Sequence, residues 1–182
     1  AVYVFERAGT AWAFVTKLTG SDAGVNDRFG NAVDLQRSTL VVGANLHGEP
    51  AGSYLGAAYV FERGAAGWAE QAKLMPDALT QGAQFGLSVA VSDGTIIVGA
   101  HGQGAPGAAF VYTRTGSTWT QQAKLVAPDA APNDVFGTSL SVWGDTLVVG
   151  APRADVAAGA DAGAVYVFER ARTALAFVTK LT

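Results

Sequence analysis

The sequence repeats itself at steps of 56 and 51 residues, and this repetition constrains the fold more than any other feature. A Phe-Gly pair, a Gly-Ala pair and a Trp recur in the same order. These markers are Phe29-Gly30, Phe85-Gly86 and Phe136-Gly137; Gly43, Gly99 and Gly150; and Trp12, Trp68 and Trp119. A period of this size predicts stacked units that bury their cores only against neighbouring units. We interpret the recurrent glycines as packing and turn positions rather than ligand sites.

Each repeat contains four short segments with the composition of β-strands. In the last repeat they are residues 136–143, 145–150, 163–168 and 174–181, which are rich in β-branched and aromatic residues. Residues 154–164 are interrupted by glycines and acids, so we predict a loop there and not a helix. Four antiparallel strands in roughly 50 residues form the blade of a β-propeller. The predicted fold class is therefore all-β, built from propeller blades.

The repeats divide the chain into one extra hairpin and three complete units. We assign residues 1–19 to a partial blade and residues 20–75, 76–126 and 127–182 to repeats within a single array. Residues 1–19 match residues 164–182 at 17 of 19 positions, which implies a higher-order period of 163 residues. Three blades are fewer than the roughly four needed to close a ring. We therefore expect a segment of a larger or oligomeric ring or array, with further copies of the same repeats as partners.

Composition excludes several classes of protein. The 182 residues are 49% hydrophobic, enough for one folded domain with a buried core. A net charge of −3 argues against binding to nucleic acid, and no apolar run approaches the roughly 20 residues of a membrane span. The absence of cysteine excludes disulfides and thiolate sites.

The last repeat carries a recognisable pattern: Phe136-Gly137, then residues 147–152 (Leu-Val-Val-Gly-Ala-Pro), then residues 163–168 (Gly-Ala-Val-Tyr-Val-Phe). It resembles the FG-GAP repeat, the blade unit of the integrin α-subunit propeller and of many bacterial surface and secreted proteins. Trp119, residues 121–125 and Asp134 resemble the bacterial branch more closely. The resemblance implies an extracellular or cell-surface propeller used for adhesion, protein or carbohydrate recognition, or scaffolding.

One property of the integrin branch is not carried over. Its calcium-binding blades have an Asp-rich loop between the first two strands, where clustered carboxylates suit a hard cation. The corresponding turns here are residues 35–38, 91–94 and 142–145, and each holds at most one carboxylate. No cofactor is therefore expected from this motif.

Acidic residues gather in the loops that follow the second and fourth strands of each repeat, which an up-and-down blade places at one rim. The loops hold Arg28 and Arg153 against eight acids: Asp22, Asp27, Glu49, Asp77, Asp129, Asp134, Asp155 and Asp161. We predict that this acidic rim binds a protein or glycan ligand. The hypothesis includes calcium held by Asp129 with Asp134 or by Asp155 with Asp161. The alternative is that these residues cap turns and keep the rim soluble.

Catalytic patterns are scarce. His47 and His101 lie in loops without a spacing that supplies a partner, and we expect them to be solvent-exposed. No nucleophile motif is present, so we expect no enzyme activity. Two alternatives stay open: a lectin-like propeller, with Tyr54 as its loop aromatic, and a non-catalytic propeller domain of a secreted enzyme.

Overall fold

The computed structural model describes residues 1–48, 53–157, 159–171 and 174–182. Within these ranges the secondary structure consists of β-strands joined by turns. The strands are β1 (Val2–Ala8), β2 (Ala11–Leu18), β3 (Ala32–Gln36), β4 (Thr39–Ala44), β5 (Ala57–Gly64), β6 (Gly67–Leu74), β7 (Val89–Ser92), β8 (Thr95–Ala100), β9 (Ala108–Thr115), β10 (Thr118–Leu125), β11 (Ser139–Trp143), β12 (Thr146–Ala151), β13 (Ala164–Ala171) and β14 (Ala174–Leu181).

The strands form three four-stranded antiparallel sheets and one two-stranded sheet. We call β3–β6 blade I, β7–β10 blade II and β11–β14 blade III, and we call β1–β2 the amino-terminal hairpin. Each strand pairs with the next strand along the chain, so every blade is an up-and-down meander. The prediction of all-β propeller blades, three complete and one partial, is confirmed. The described part of the chain contains no helix long and apolar enough to cross a membrane.

Apolar layers fill the spaces between neighbouring sheets. One layer joins the amino-terminal hairpin to blade I, a second joins blade I to blade II, and a third joins blade II to blade III. Alternate residues of the third strand point to opposite sides: Tyr59 belongs to the first layer, whereas Val60 belongs to the second. This period-2 alternation explains the apolar third strands, which are buried on both faces in blades I and II.

The Phe-Gly pairs connect one blade to the next. The backbone N–H of Phe85 donates to the carbonyl of Leu55 at 2.8 Å, and that of Phe136 donates to the carbonyl of Pro106 at 2.8 Å. Both phenylalanine side chains are fully buried. Blade III was expected to begin its first strand at Phe136, but the strand starts at Ser139, because Phe136 bridges in parallel to Gly107 of the preceding sheet.

The glycines that end the second strands allow the closest approach between blades. A Cβ atom at Gly43 would clash with the carbonyl oxygen of Gly86, and a Cβ at Gly99 would clash with that of Gly137. Neither Gly43 nor Gly99 has positive φ. Space, and not backbone conformation, therefore requires glycine at these two positions.

Candidate binding rim

The loops after the second and fourth strands meet at one rim, as the meander topology requires. In each blade one backbone hydrogen bond joins the two loops. The donors and acceptors are Leu46 N–H and Asp27 carbonyl at 3.2 Å, Gly102 N–H and Ala83 carbonyl at 3.1 Å, and Arg153 N–H and Asp134 carbonyl at 3.3 Å. The rim is thus a set of mutually braced loops on a rigid scaffold.

In blade III an aspartate of the rim is held by a lysine and a tyrosine. The Lys180 amino group lies 2.7 Å from Oδ2 of Asp129, and the Tyr166 hydroxyl donates to Oδ1 at 2.8 Å. The hydrogen bond from Lys180 lowers the pKa of Asp129, and the bond from Tyr166 adds to this, against the opposing effect of burial. The carboxylate therefore stays ionised and is already paired with a cation.

Blade I repeats this arrangement with the same residue types at the equivalent positions of its own repeat. The Lys73 amino group lies 2.6 Å from Oδ2 of Asp22, and the Tyr59 hydroxyl donates to Oδ1 at 2.7 Å. The Lys73 hydrogen bond is the main cause that lowers the pKa of Asp22. Burial, together with the bond to Asp22, raises the pKa of Tyr59 far above its ordinary value. We call these two arrangements the Asp-Lys-Tyr clamps.

His47 extends the clamp of blade I. Its Nε2 atom lies 2.8 Å from the Lys73 amino group, and its Nδ1 atom lies 2.8 Å from Oδ2 of Asp27. Because an ammonium group can only donate, Nε2 accepts from Lys73, and Nδ1–H donates to Asp27. The side chain is almost fully buried, with 7% exposure. The expectation of a solvent-exposed His47 is therefore wrong: two loops and a strand end enclose it.

His101 is also less exposed than expected. It is half-buried, and its buried Nδ1 atom has no hydrogen-bond partner among the described residues. Burial, followed by the nearby charge of Arg153, lowers the pKa of His101. The expectation of a solvent-exposed histidine is wrong here as well, because the side chain is half-buried in its loop and lies near Arg153 of blade III.

The other predicted rim acids divide into turn caps and exposed groups. Asp134 is buried and accepts from the Ala131 N–H at 2.9 Å, whereas Asp27 accepts from the Gly24 N–H at 2.7 Å. Asp155 accepts from the Asp161 N–H at 2.9 Å. Exposed carboxylates are those of Asp77, Asp155 and Asp161, together with the half-exposed Asp22 and Asp129. Glu49 lies outside the described residues.

These contacts bear on the two carboxylate pairs proposed for calcium. Asp129 is engaged by Lys180, and Asp134 is engaged by a backbone N–H group. Across the described ranges, no three Asp, Glu or His side chains converge in a way that could hold a metal ion. Calcium binding at the rim stays a prediction.

The charge count from the sequence omitted the lysines of the clamps. Lys73 and Lys180 end the fourth strands, yet their amino groups reach the rim. The recurrent Lys-Leu pair was a signal in the sequence for this contact. Its lysine lies opposite the Tyr of the third strand in the sheet register: Lys73 opposite Tyr59, and Lys180 opposite Tyr166. The rim is therefore less acidic than its loops alone suggest.

The opposite rim is crossed by ion pairs between neighbouring sheets. Arg63 of blade I lies 2.6 Å from Glu6 of the amino-terminal hairpin, and Arg114 of blade II lies 2.7 Å from Glu62 of blade I. Exposed aromatic residues occur at both rims: Tyr54 at the acidic rim, as predicted, and Trp143 at the opposite one. Trp143 is the last residue of β11, so Tyr54 stays the loop aromatic that the sequence predicted.

Comparisons with known proteins agree on the repeat and on the fold. A family profile described as FG-GAP repeat matches residues 12–61, 68–112 and 119–168. Two similar structures are Saccharomyces cerevisiae Sqt1 (TM-score 0.53, 10% identity, 86% of this chain and 36% of that one) and a europium-containing methanol dehydrogenase (TM-score 0.52, 14% identity, 84% of this chain and 26% of that one). The chain thus spans about a third or less of either structure. No curated protein matches its sequence.

Proposed function

Because the chain belongs to the FG-GAP repeat family, we propose that it is a non-enzymatic, extracellular β-propeller module that binds a protein at its acidic rim, in adhesion or structural assembly. The observation that carries the proposal is the braced rim itself. Its loops are tied to one another and to the strand ends by the Asp-Lys-Tyr clamps, so the exposed carboxylates project from fixed positions.

The chemistry of the rim favours a basic partner. Asp77 and Asp161 are exposed, and neither forms an ion pair among the contacts of the described residues. A group of fixed carboxylates attracts lysine and arginine side chains and accelerates their encounter. The buried His47 and Asp134 of the rim are engaged in scaffold contacts, which supports a binding role over catalysis. The proposal requires no cofactor.

The test compares matched pairs of charge neutralisations. Binding of a fluorescent oligolysine peptide is measured for the wild type, for Asp77→Asn/Asp161→Asn at the acidic rim and for Asp93→Asn/Asp145→Asn at the opposite rim. Both double variants change the net charge by the same amount. We expect the acidic-rim variant to lose at least tenfold in affinity and the opposite-rim variant to resemble the wild type. Equal loss in both variants would show that only net charge matters and would contradict the proposal.

A glycan array addresses the lectin-like alternative. The observation that favours it is Tyr54, which is 47% exposed at the same rim. Saturable glycan binding that Tyr54→Ala abolishes, without oligolysine binding, would replace the protein-binding proposal. Turnover of a substrate by the purified chain would overturn the non-enzymatic assignment.

A further inference from the structure

The two ends of the blade stack expose faces that are buried at the internal junctions. On blade I, Val33 and Leu35 are both 54% exposed, whereas Val91, the blade II counterpart of Leu35, is 6% exposed. On blade III a groove of about 470 Å³ is open to solvent. Its lining includes Ser139, Gly150, Gly163 and Thr182. An uncovered face at each end is a surface that a further blade would fit.

At the internal junctions the equivalent groove is filled by a Phe-Gly pair. Phe85-Gly86 contacts Gly43 and Gly56 of blade I, and Phe136-Gly137 contacts the matching glycines of blade II, Gly99 and Gly107. Gly150 and Gly163 are the third members of these series. The carbonyl of Gly150 accepts from the Gly137 N–H of its own blade at 3.0 Å, but in the described residues no Phe-Gly pair of another blade packs on Gly150 or Gly163. The groove on blade III therefore has the shape of a receptor for a Phe-Gly pair.

The chain itself contains the Phe-Gly pair that fits this receptor. Phe29-Gly30 of blade I packs on the amino-terminal hairpin, where the carbonyl oxygen of Ala1 faces Gly30. The carbonyls of Ala57 and Ala108 face Gly86 and Gly137 in the same way. The residue that continues this series on blade III is Ala164. Blade I is thus already docked on a surface with nearly the sequence of the hairpin β13–β14.

The two hairpins also have the same internal geometry. The ring of Phe14 lies 5.8 Å from that of Phe5, and the ring of Phe177 lies 5.9 Å from that of Phe168. Both hairpins carry the same register and the same bulge, before Phe5 and before Phe168. The two hairpins differ in how much of each is covered by neighbouring sheets. Tyr3 is 56% exposed, whereas its counterpart Tyr166 is fully buried. A surface that accepts blade I at one hairpin is therefore reproduced at the other.

Charge complementarity points to the same contact. The ion pair between Glu6 and Arg63 joins the amino-terminal hairpin to blade I. Glu169, the counterpart of Glu6, is exposed on blade III. Docking of blade I on blade III would place Arg63 of one copy beside Glu169 of the other and would repeat the pair.

We propose that blade I of one copy of this chain docks on blade III of a second copy, with Phe29-Gly30 entering the groove at Gly150 and Gly163. In this contact, β13–β14 of the other copy displaces the amino-terminal hairpin of the docking copy from blade I. The hairpin offers only two strands to blade I, whereas blade III offers four. The added strands β11 and β12 cover Val33 and Leu35, so the exchange buries additional apolar surface.

The contact joins two different surfaces, so it is head-to-tail and produces rings or open chains. Two copies contribute six blades, which lies within the range of roughly four to eight found in propellers. This inference names a partner for the assembly role, and it rests on the blade ends, not on the acidic rim. If the acidic rim failed to bind oligolysine, the docking of blade I on blade III would not be contradicted.

Sedimentation velocity over a range of concentrations tests the contact, with three single substitutions in the full chain. Val33→Glu damages the exposed face of blade I. Gly150→Ala adds a Cβ that would meet only the movable Ser139 side chain within one copy but would obstruct an incoming Gly30. Val25→Glu, in a rim loop at a position that is 91% exposed, introduces the same charge and is the matched control. Circular dichroism verifies that all variants remain folded.

We expect the wild type and Val25→Glu to sediment at about twice the 18.6 kDa chain mass or more, and Val33→Glu and Gly150→Ala to sediment as monomers. Mixing the two monomeric variants should restore a dimer, because one retains an intact blade III surface and the other an intact blade I surface. A wild type that is monomeric at every concentration would overturn the proposal. So would a mixture that stays monomeric while the wild type associates.

Discussion

Nδ1 of His47 lies 2.8 Å from Oδ2 of Asp27, and this pair distinguishes blade I from the other two blades. The equivalent positions hold Gln103 in blade II and Ala154 in blade III.

His47→Ala removes a nearly buried hydrogen bond and the contact with Lys73, so we expect the free energy of unfolding to fall by about 2 kcal/mol. Urea unfolding at pH 7 measures the loss. His101→Ala is the matched control, and its loss should be smaller, because Nδ1 of His101 has no hydrogen-bond partner within the described ranges. Equal losses would contradict the assigned contacts.

The second prediction concerns His101 and pH. Burial lowers the pKa of His101 in the folded state, so the unfolded chain binds the proton more readily. The neutral form therefore contributes fully above the ordinary value of about 6.5, and stability is lost as pH falls below it. His101→Asn introduces the residue that blade I has at the same position, Asn45. We expect the variant to lose less stability between pH 7 and pH 5 than the wild type. Unfolding curves at both pH values measure the difference, and an unchanged slope would refute the assignment.

The third prediction concerns the clamp of blade III. The pKa of Asp129 is lowered in the folded state, so its contribution is present above the unfolded value of about 3.9 and is lost as pH falls through the folded value. Asp129→Asn should cost about 1 kcal/mol at pH 7, because an exposed ion pair and one tyrosine hydrogen bond are weakened. The cost should shrink at pH 3. Asp77→Asn, an exposed carboxylate outside the clamp, should change stability little at either pH. A cost for Asp129→Asn that is independent of pH would exclude the clamp as its source.

Much of this fold follows from local sequence patterns, whereas the clamps do not. The strands around Val148 and Val167 are evident from β-branched runs between glycines, because propensity and turn chemistry act over a few neighbouring residues. The burial of His47 depends on Asp27, 20 residues earlier, and on Lys73, 26 residues later. No sequence periodicity predicts that these three side chains come into contact, since the loops at a rim are brought together only by the completed sheet. The recurrent Lys-Leu pair was the one local signal, and its meaning required the strand register.

The fourth prediction compares two glycines that end equivalent strands. A Cβ at Gly99 would meet the backbone carbonyl of Gly137 in the next blade, which cannot move without separating the blades. We expect Gly99→Ala to cost about 3 kcal/mol through overpacking. Gly150→Ala meets only the Ser139 side chain, which can rotate, so its cost should be below about 1 kcal/mol. Unfolding is measured at low protein concentration, where monomers predominate. Similar costs at both positions would contradict the packing described for the junction of blades II and III.

The last prediction concerns calcium at the acidic rim. The amino group of Lys180 lies 2.7 Å from Oδ2 of Asp129 and 3.4 Å from the carbonyl oxygen of Asp155, so it already occupies the space between two oxygens that a cation would use. A divalent ion there would be repelled by the ammonium group. We therefore expect millimolar calcium to leave the melting temperature unchanged, as followed by differential scanning calorimetry. An increase would contradict this expectation. Its loss in Asp155→Asn/Asp161→Asn, but not in Asp93→Asn/Asp145→Asn, would then locate the ion at the predicted pair.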